Sequence, residues 1–335
     1  MMKTGKNKRL LASILAASML LAMSPFALAE GAEGTTGQEQ STSQSAEVKT
    51  EGEGTGIEQE KPETSVNAAK IGENVYPTVA KAIDAANIYD ANSDVTIVML
   101  HDVTENIEIH RSLTLDLGGF TLSGNANAAV VTISGDKPQV TVKNGTVTGG
   151  KKSGIRITDA DVTLTKLTVT KNASTGNGGG IDAVKGKELV VEQCAINENT
   201  AKNSGGGIRV EDTPLKVIDS EIKNNRGFHG AGIYLSDPKT PVCGRHEITG
   251  TLIEGNKVFN AYGIGGGIHV GTRSQVNIEN STISKNAADQ GGGIVAYTAD
   301  SVILNHVVIT ENQATVGAGI LTLTMNACNT EFKLT

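Results

Sequence analysis

Three charged side chains stand at equivalent places after successive glycine runs: Arg156, Asp182 and Arg209. Carboxylates that converge on calcium beside an arginine able to take a proton would suit elimination on an acidic polysaccharide. Asp182 and Glu211 are the acids at hand on these strands, too few for such a cage, so the non-catalytic reading of the column is a solvated ladder of charges. Glycoside hydrolysis needs a pair of acids with room for water, helped by a positioned His and Arg. Gly227-Phe228-His229-Gly230 supplies the His without the acid pair. No catalytic residue and no metal ligand set is assigned.

A denser grouping lies between Arg226 and His269. It contains Phe228, His229, Tyr234, Arg245, His246, Phe259, Tyr262 and His269, in a chain with 3% aromatic residues. Flat aromatic faces can stack on sugar rings, while His and Arg give directional hydrogen bonds. These eight residues form the candidate ligand-binding patch, with an extracellular glycan or a host or cell-surface ligand as the expected partner. No cofactor is expected; calcium enters only if the protein is a polysaccharide lyase.

The elements that must position these residues come from a repeat. An Asn, a short stretch and then Gly-Gly-Gly-Ile or a variant recur at residues 172–181 (NASTGNGGGI), 199–208 (NTAKNSGGGI), 225–233 (NRGFHGAGI), 256–268 (NKVFNAYGIGGGI), 286–294 (NAADQGGGI) and 312–320 (NQATVGAGI). Three positions before each Asn stands an aliphatic residue: Val169, Ile196, Ile222, Ile253, Ile283 and Ile309. Two before that comes a modest side chain: Leu167, Cys194, Ser220, Thr251, Ser281 and Val307. Apolar and polar residues mostly alternate, as in Val276-Asn277-Ile278, which marks strands with one buried face. Short strands returning in register, with no helical spacing between them, stack coil on coil at about 4.8 Å. The expected fold is all-β, a parallel β-helix in which Gly and Asn allow the turns and the Asn column forms an amide ladder.

The repeat exposes its own exception. A loop over residues 236–246 lengthens one copy, and the turn at 256–268 is long as well. Insertions in solenoids project from one face and often build the binding surface. The candidate patch coincides with them.

Around the repeat, residues 1–29 combine Lys3, Lys6, Lys8 and Arg9, an apolar run and Ala27-Leu28-Ala29, the pattern of a cleaved secretory signal peptide. The mature chain is then extracellular or at the cell surface, starts near Glu30, and meets a membrane only through that peptide before cleavage. Residues 30–67 are polar and acidic and read as a disordered linker. Residues 68–122 read as an N-terminal cap and first coil. There, 70–76 is strand-like and 78–88 is an amphipathic helix with Val79, Ala82, Ile83 and Ala86 on one side and Thr78 as N-cap; 113–122 is again strand-like. Residues 123–335 read as the remaining coils with an uncapped last stretch, as expected of a chain either truncated relative to its relatives or capped by a partner. A net charge of −7 without a basic cluster beyond residue 29 excludes nucleic acid. The three cysteines have no metal-binding spacing, and Cys194 falls in the small inward column as a core filler.

Ile283-Ser-Lys-Asn286 and Ile309-Thr-Glu-Asn312, paired with GGGI or GAGI, resemble the F-x-x-N and GGA-I repeats of the chlamydial polymorphic membrane proteins, with Ile in place of Phe. More broadly, residues 68–335 are similar to the secreted right-handed parallel β-helix proteins of the pectin-lyase-like superfamily, which implies a right-handed parallel β-helix here. The first resemblance implies a surface adhesin. The second implies the fold, which serves adhesins, lyases and hydrolases alike, so a polysaccharide lyase or glycoside hydrolase stands as the alternative.

Overall fold

The computed structural model describes residues 66–90, 93–238, 245–323 and 331–334. The signal-peptide reading, nearly all of the linker reading, Cys243 and Cys328 lie outside the described residues.

One coil shows the plan. Strands Ile181–Val184, Leu189–Glu192, Ala195–Asn197 and Thr200–Ala201 follow one another around the axis. Each pairs in parallel with its equivalent one coil on: Ile181 with Ile208, Leu189 with Leu215, Ala195 with Glu221, Thr200 with Arg226. Among the described residues the strands merge into sheets of nineteen, nine and four. The largest takes two strands from most coils around a bent corner, and also the antiparallel strands at the N-terminal end.

The aliphatic columns fill the interior. Val169, Ile196, Ile222, Ile253 and Ile283 are all 0% exposed and form the core of their rungs, while Ile309 in the last copy is partly buried against it. Each such side chain contributes about 1.5–3 kcal/mol on burial. The modest column beside it is a hydrogen-bond ladder as well as a filler. Leu167 N–H donates to Cys194 Sγ, Cys194 N–H to Ser220 Oγ at 3.1 Å, and Thr251 N–H to Ser281 Oγ at 3.1 Å. Burial pushes the Cys194 thiol up to about 11, the state of an inert filler.

The Asn column forms its ladder from coil to coil. Asn172 Nδ2 donates to Asn199 Oδ1 at 3.0 Å, Asn199 to Asn225 at 3.1 Å, Asn225 to Asn256 at 3.0 Å, Asn256 to Asn286 at 2.9 Å and Asn286 to Asn312 at 3.0 Å. The same Oδ1 atoms accept backbone N–H groups, as Asn225 Oδ1 does from Asn199. The expectation that these Asn residues take up the turn is corrected. The left-handed position is the residue before each: Lys171, Glu198, Asn224, Gly255, Lys285 and Glu311, with φ of 54, 55, 54, 66, 55 and 54°. In the glycine runs a different need dominates. A Cβ on Gly180 would come 2.6 Å from Gly207 O and 2.9 Å from Asn199 Nδ2, so the run lies directly against the ladder.

At the N-terminal end, helix Val79–Ala86 buries Val79, Ala82, Ile83 and Ala86, and Thr78 Oγ1 accepts from Lys81 N–H at 3.0 Å. The Glu105 carboxylate takes the N–H groups of Val79 and Ala80, and the Arg111 guanidinium donates to the carbonyls of Ala86, Tyr89 and Asp90. Both ends of the helix are thereby tied down. The single strand expected over 70–76 is instead a hairpin, Ala69–Ile71 with Asn74–Tyr76, because Gly72 turns at φ 56°. The strand expected over 113–122 divides into Leu113–Asp116 and Thr121–Ser123 at Gly118 and Gly119, with φ of 61 and 88°.

Candidate functional site

The nine-stranded sheet carries the column picked out from sequence. Parallel register aligns Arg156, Asp182, Arg209, Tyr234, His269, Val295 and Leu321, all pointing away from the core. The solvated-ladder reading holds for Arg156, which is exposed, and is corrected for the next two: Asp182 is 2% exposed and Arg209 9%, and His269 further along the column is 3% exposed. The cause is the glycine run before each strand, which folds back over its base. Added Cβ atoms on Gly178 and Gly205 would lie 2.3 and 2.5 Å from the Cβ atoms of Asp182 and Arg209.

Asp182 is held from both sides, by Arg156 Nη2 at 3.3 Å and Arg209 Nη1 at 2.9 Å. Arg209 Nη2 also binds Glu211. Two cations and two anions therefore cancel within one stretch of the column. Asp182 has both oxygens engaged and little access to solvent, which leaves it poorly placed as a base or a calcium ligand.

One coil further on, charge gives way to rings. Tyr234 stacks on His269 with centroids 4.6 Å apart and planes at 22°. His229 lies 5.9 Å from His269 on one side and Tyr297 6.0 Å on another, and Phe228 backs His229 at 4.2 Å. A pocket of about 260 Å3 opens among His229, Tyr234, Ile264, His269, Thr272 and Tyr297, with Gly271 in its wall. It exists because Gly271 occupies the outward place between Ser236 and Tyr297 and brings no side chain. A Cβ there would stand 3.3 Å from His269 Nε2 and 2.6 Å from Leu235 O.

Burial sets the protonation of these groups. Desolvation pushes the His269 imidazole down to about 3, with the neighbouring His229 adding to the effect. His229 is lowered by burial too. Burial raises the Tyr234 phenol against the opposing pull of its hydrogen bond to Ser236 and the charge of Arg209. His229 Nδ1 accepts from Ile264 N–H at 3.4 Å, whereas His269 Nδ1 is buried without a hydrogen-bond partner among the described residues.

The candidate patch is thus only partly assembled. Phe228, His229, Tyr234 and His269 meet, and Tyr297 joins them. Tyr297 escaped sequence reading because only one of the two outward positions on each strand was followed; it is two residues beyond Val295 in the same strand. Phe259 and Tyr262, 39% and 79% exposed, stand on the long turn and do not line the pocket. Arg245 and His246 belong to a different sheet, on strand Arg245–Thr249. Arg245 is exposed, but His246 faces inward at 1% exposure.

That inward histidine has a structural task. Leu215 N–H donates to His246 Nδ1 at 3.3 Å, which leaves the proton on Nε2 to be given to Asp237 Oδ2 at 2.8 Å; Ser274 Oγ donates to the same oxygen at 2.6 Å. Ser274 binds the acid and not the imidazole, so this is no nucleophilic triad. Asp237 and His246 flank residues 238–245, and their buried contact fastens the two ends of the insertion. Period-two alternation already places His246 on the inward face of Ile248, a signal passed over in favour of the residue type.

Residues 105–264 match the family model described as the right handed beta helix region. The described coils form a right-handed parallel β-helix. Over 133 residues, 37% of its length, this β-helix is 33% identical to the probable outer membrane protein pmp20 of Chlamydia pneumoniae. The match spans 7% of that protein's length, so the β-helix corresponds to a small part of this relative. No solved structure matches it significantly.

Proposed function

We propose that this β-helix is an exported, cell-surface protein that contacts glycan through the ring-lined pocket of His229, Tyr234, His269 and Tyr297. The observation that carries the reading is the pocket itself: four rings and an open volume gathered next to the long turn, on an otherwise repetitive sheet. Export rests on the signal-peptide pattern of residues 1–29, and surface location has support in the similarity to a probable outer membrane protein. Packing of a sugar against the Tyr297 ring, with phenol and imidazole hydrogen bonds at the edge of the Tyr234–His269 stack, is the chemistry such a site offers. The lyase or hydrolase alternative has less to draw on, because Asp182 is bound between two guanidiniums.

Glycan-array binding by the wild type and by a Tyr234→Ala, Tyr297→Ala double variant tests the proposal. Binding that falls at least about tenfold in the variant, with circular dichroism unchanged, supports it. Undiminished binding would place the contact elsewhere.

A further inference from the structure

Resting on that glycan reading, we propose that the pocket selects 2-acetamido sugars, taking the acetamido group of a single N-acetylhexosamine residue against His269, Tyr234 and Tyr297. Size is the first argument. At about 260 Å3 the pocket falls below the roughly 300–1,000 Å3 of sites that engulf a drug-sized ligand. It accommodates one residue or its substituent, not a chain laid along the strands.

Charge is the second. The lining contains no Lys, Arg, Asp or Glu, and Arg209, the nearest guanidinium along the column, is already engaged by Asp182 and Glu211. Burial holds both imidazoles toward the neutral form. A uronate or phosphate would enter without a counter-charge, at a desolvation cost the site does not offset. The occupant is therefore uncharged or cationic. A methylated ammonium needs ring faces turned toward it, but Tyr234 and His269 turn their faces to each other at 4.6 Å.

Chemistry is the third. An acetamido group joins a methyl, suited to Ile264 and the tyrosine rings, to an amide with one donor and one acceptor. His269 lines the pocket at 3% exposure, and the gap left at Gly271 opens beside its Nε2, a ring nitrogen that needs a donor or an acceptor according to tautomer. An amide meets that need in either tautomer of the ring, and a bare 2-hydroxyl brings no methyl to fill the apolar wall.

Calorimetry on the full chain, using 2-acetamido, 2-amino and 2-hydroxy forms of gluco-, galacto- and manno-pyranosides together with choline, decides the point. The expected result is binding confined to acetamido forms of at least one series, weakened roughly tenfold by Tyr297→Ala, which removes a half-buried ring and whose fold circular dichroism checks. Equal binding of acetamido and hydroxy forms overturns the selectivity and leaves the glycan reading standing. Binding of choline alone replaces the acetamido group with a quaternary ammonium, and no binding of any probe overturns both readings.

Discussion

His269 is the residue at which burial, charge state and the proposed contact meet. Its imidazole titrates near 3 in the folded protein, against 6.5 as the ordinary value. Above pH 6.5 both folded and unfolded chains hold it neutral. Between 6.5 and about 3 the unfolded chain takes a proton that the folded chain refuses, so folding stability declines as pH falls. The slope from this one group is at most about 1.4 kcal/mol per pH unit. Urea unfolding at pH 7.0 and pH 4.5 should show a loss of roughly 2–3 kcal/mol traceable to His269. A His269→Phe variant should remove that part of the pH dependence; an unchanged difference would mean that the ring is solvated.

The element scale is set by stacked turns. Each ladder Asn satisfies backbone groups of the preceding coil, and Asn225 reaches the Asn256 side chain of the next, so the ladder and the glycine run that covers it are one structure seen from two sides. Asn225→Ala removes donors to Ile196 O and Asn256 Oδ1 and orphans the backbone and amide N–H groups of Asn199, inside a site that is 0% exposed. Each orphaned group costs about 1–3 kcal/mol, and the variant should melt well below the wild type in thermal circular dichroism; a melting point within a few degrees would contradict the ladder's role. The aliphatic columns, the strand alternation, the helix around Val79 and the ladder were legible in the sequence, because they repeat and a repeat can be aligned. The burial of Asp182 and Arg209 was not. It depends on glycine runs folding back over the sheet, a tertiary packing that alternation along one strand does not express. The pocket was half legible: the rings from Phe228 to His269 stood out by type, but the gap at Gly271 and the wall at Tyr297 depend on register between coils.

At the scale of the molecule, a solenoid draws its stability from neighbour-on-neighbour contacts, so one coil can depart from the pattern without unseating the rest. Here the departure is fastened at its base by Asp237 and His246 and leaves the ring-lined pocket beside it. The most direct test of that pocket as the contact site is histidine-selective NMR during titration with a glycan that the protein binds. Six histidines report from separate places: His101 and His110 near the N-terminal end, His306 near the other, His246 inside, and His229 and His269 at the pocket. With the pocket as the contact site, the His229 and His269 ring signals move together while the other four stay still. Movement at His101, His110 or His306 with His229 and His269 silent would contradict it.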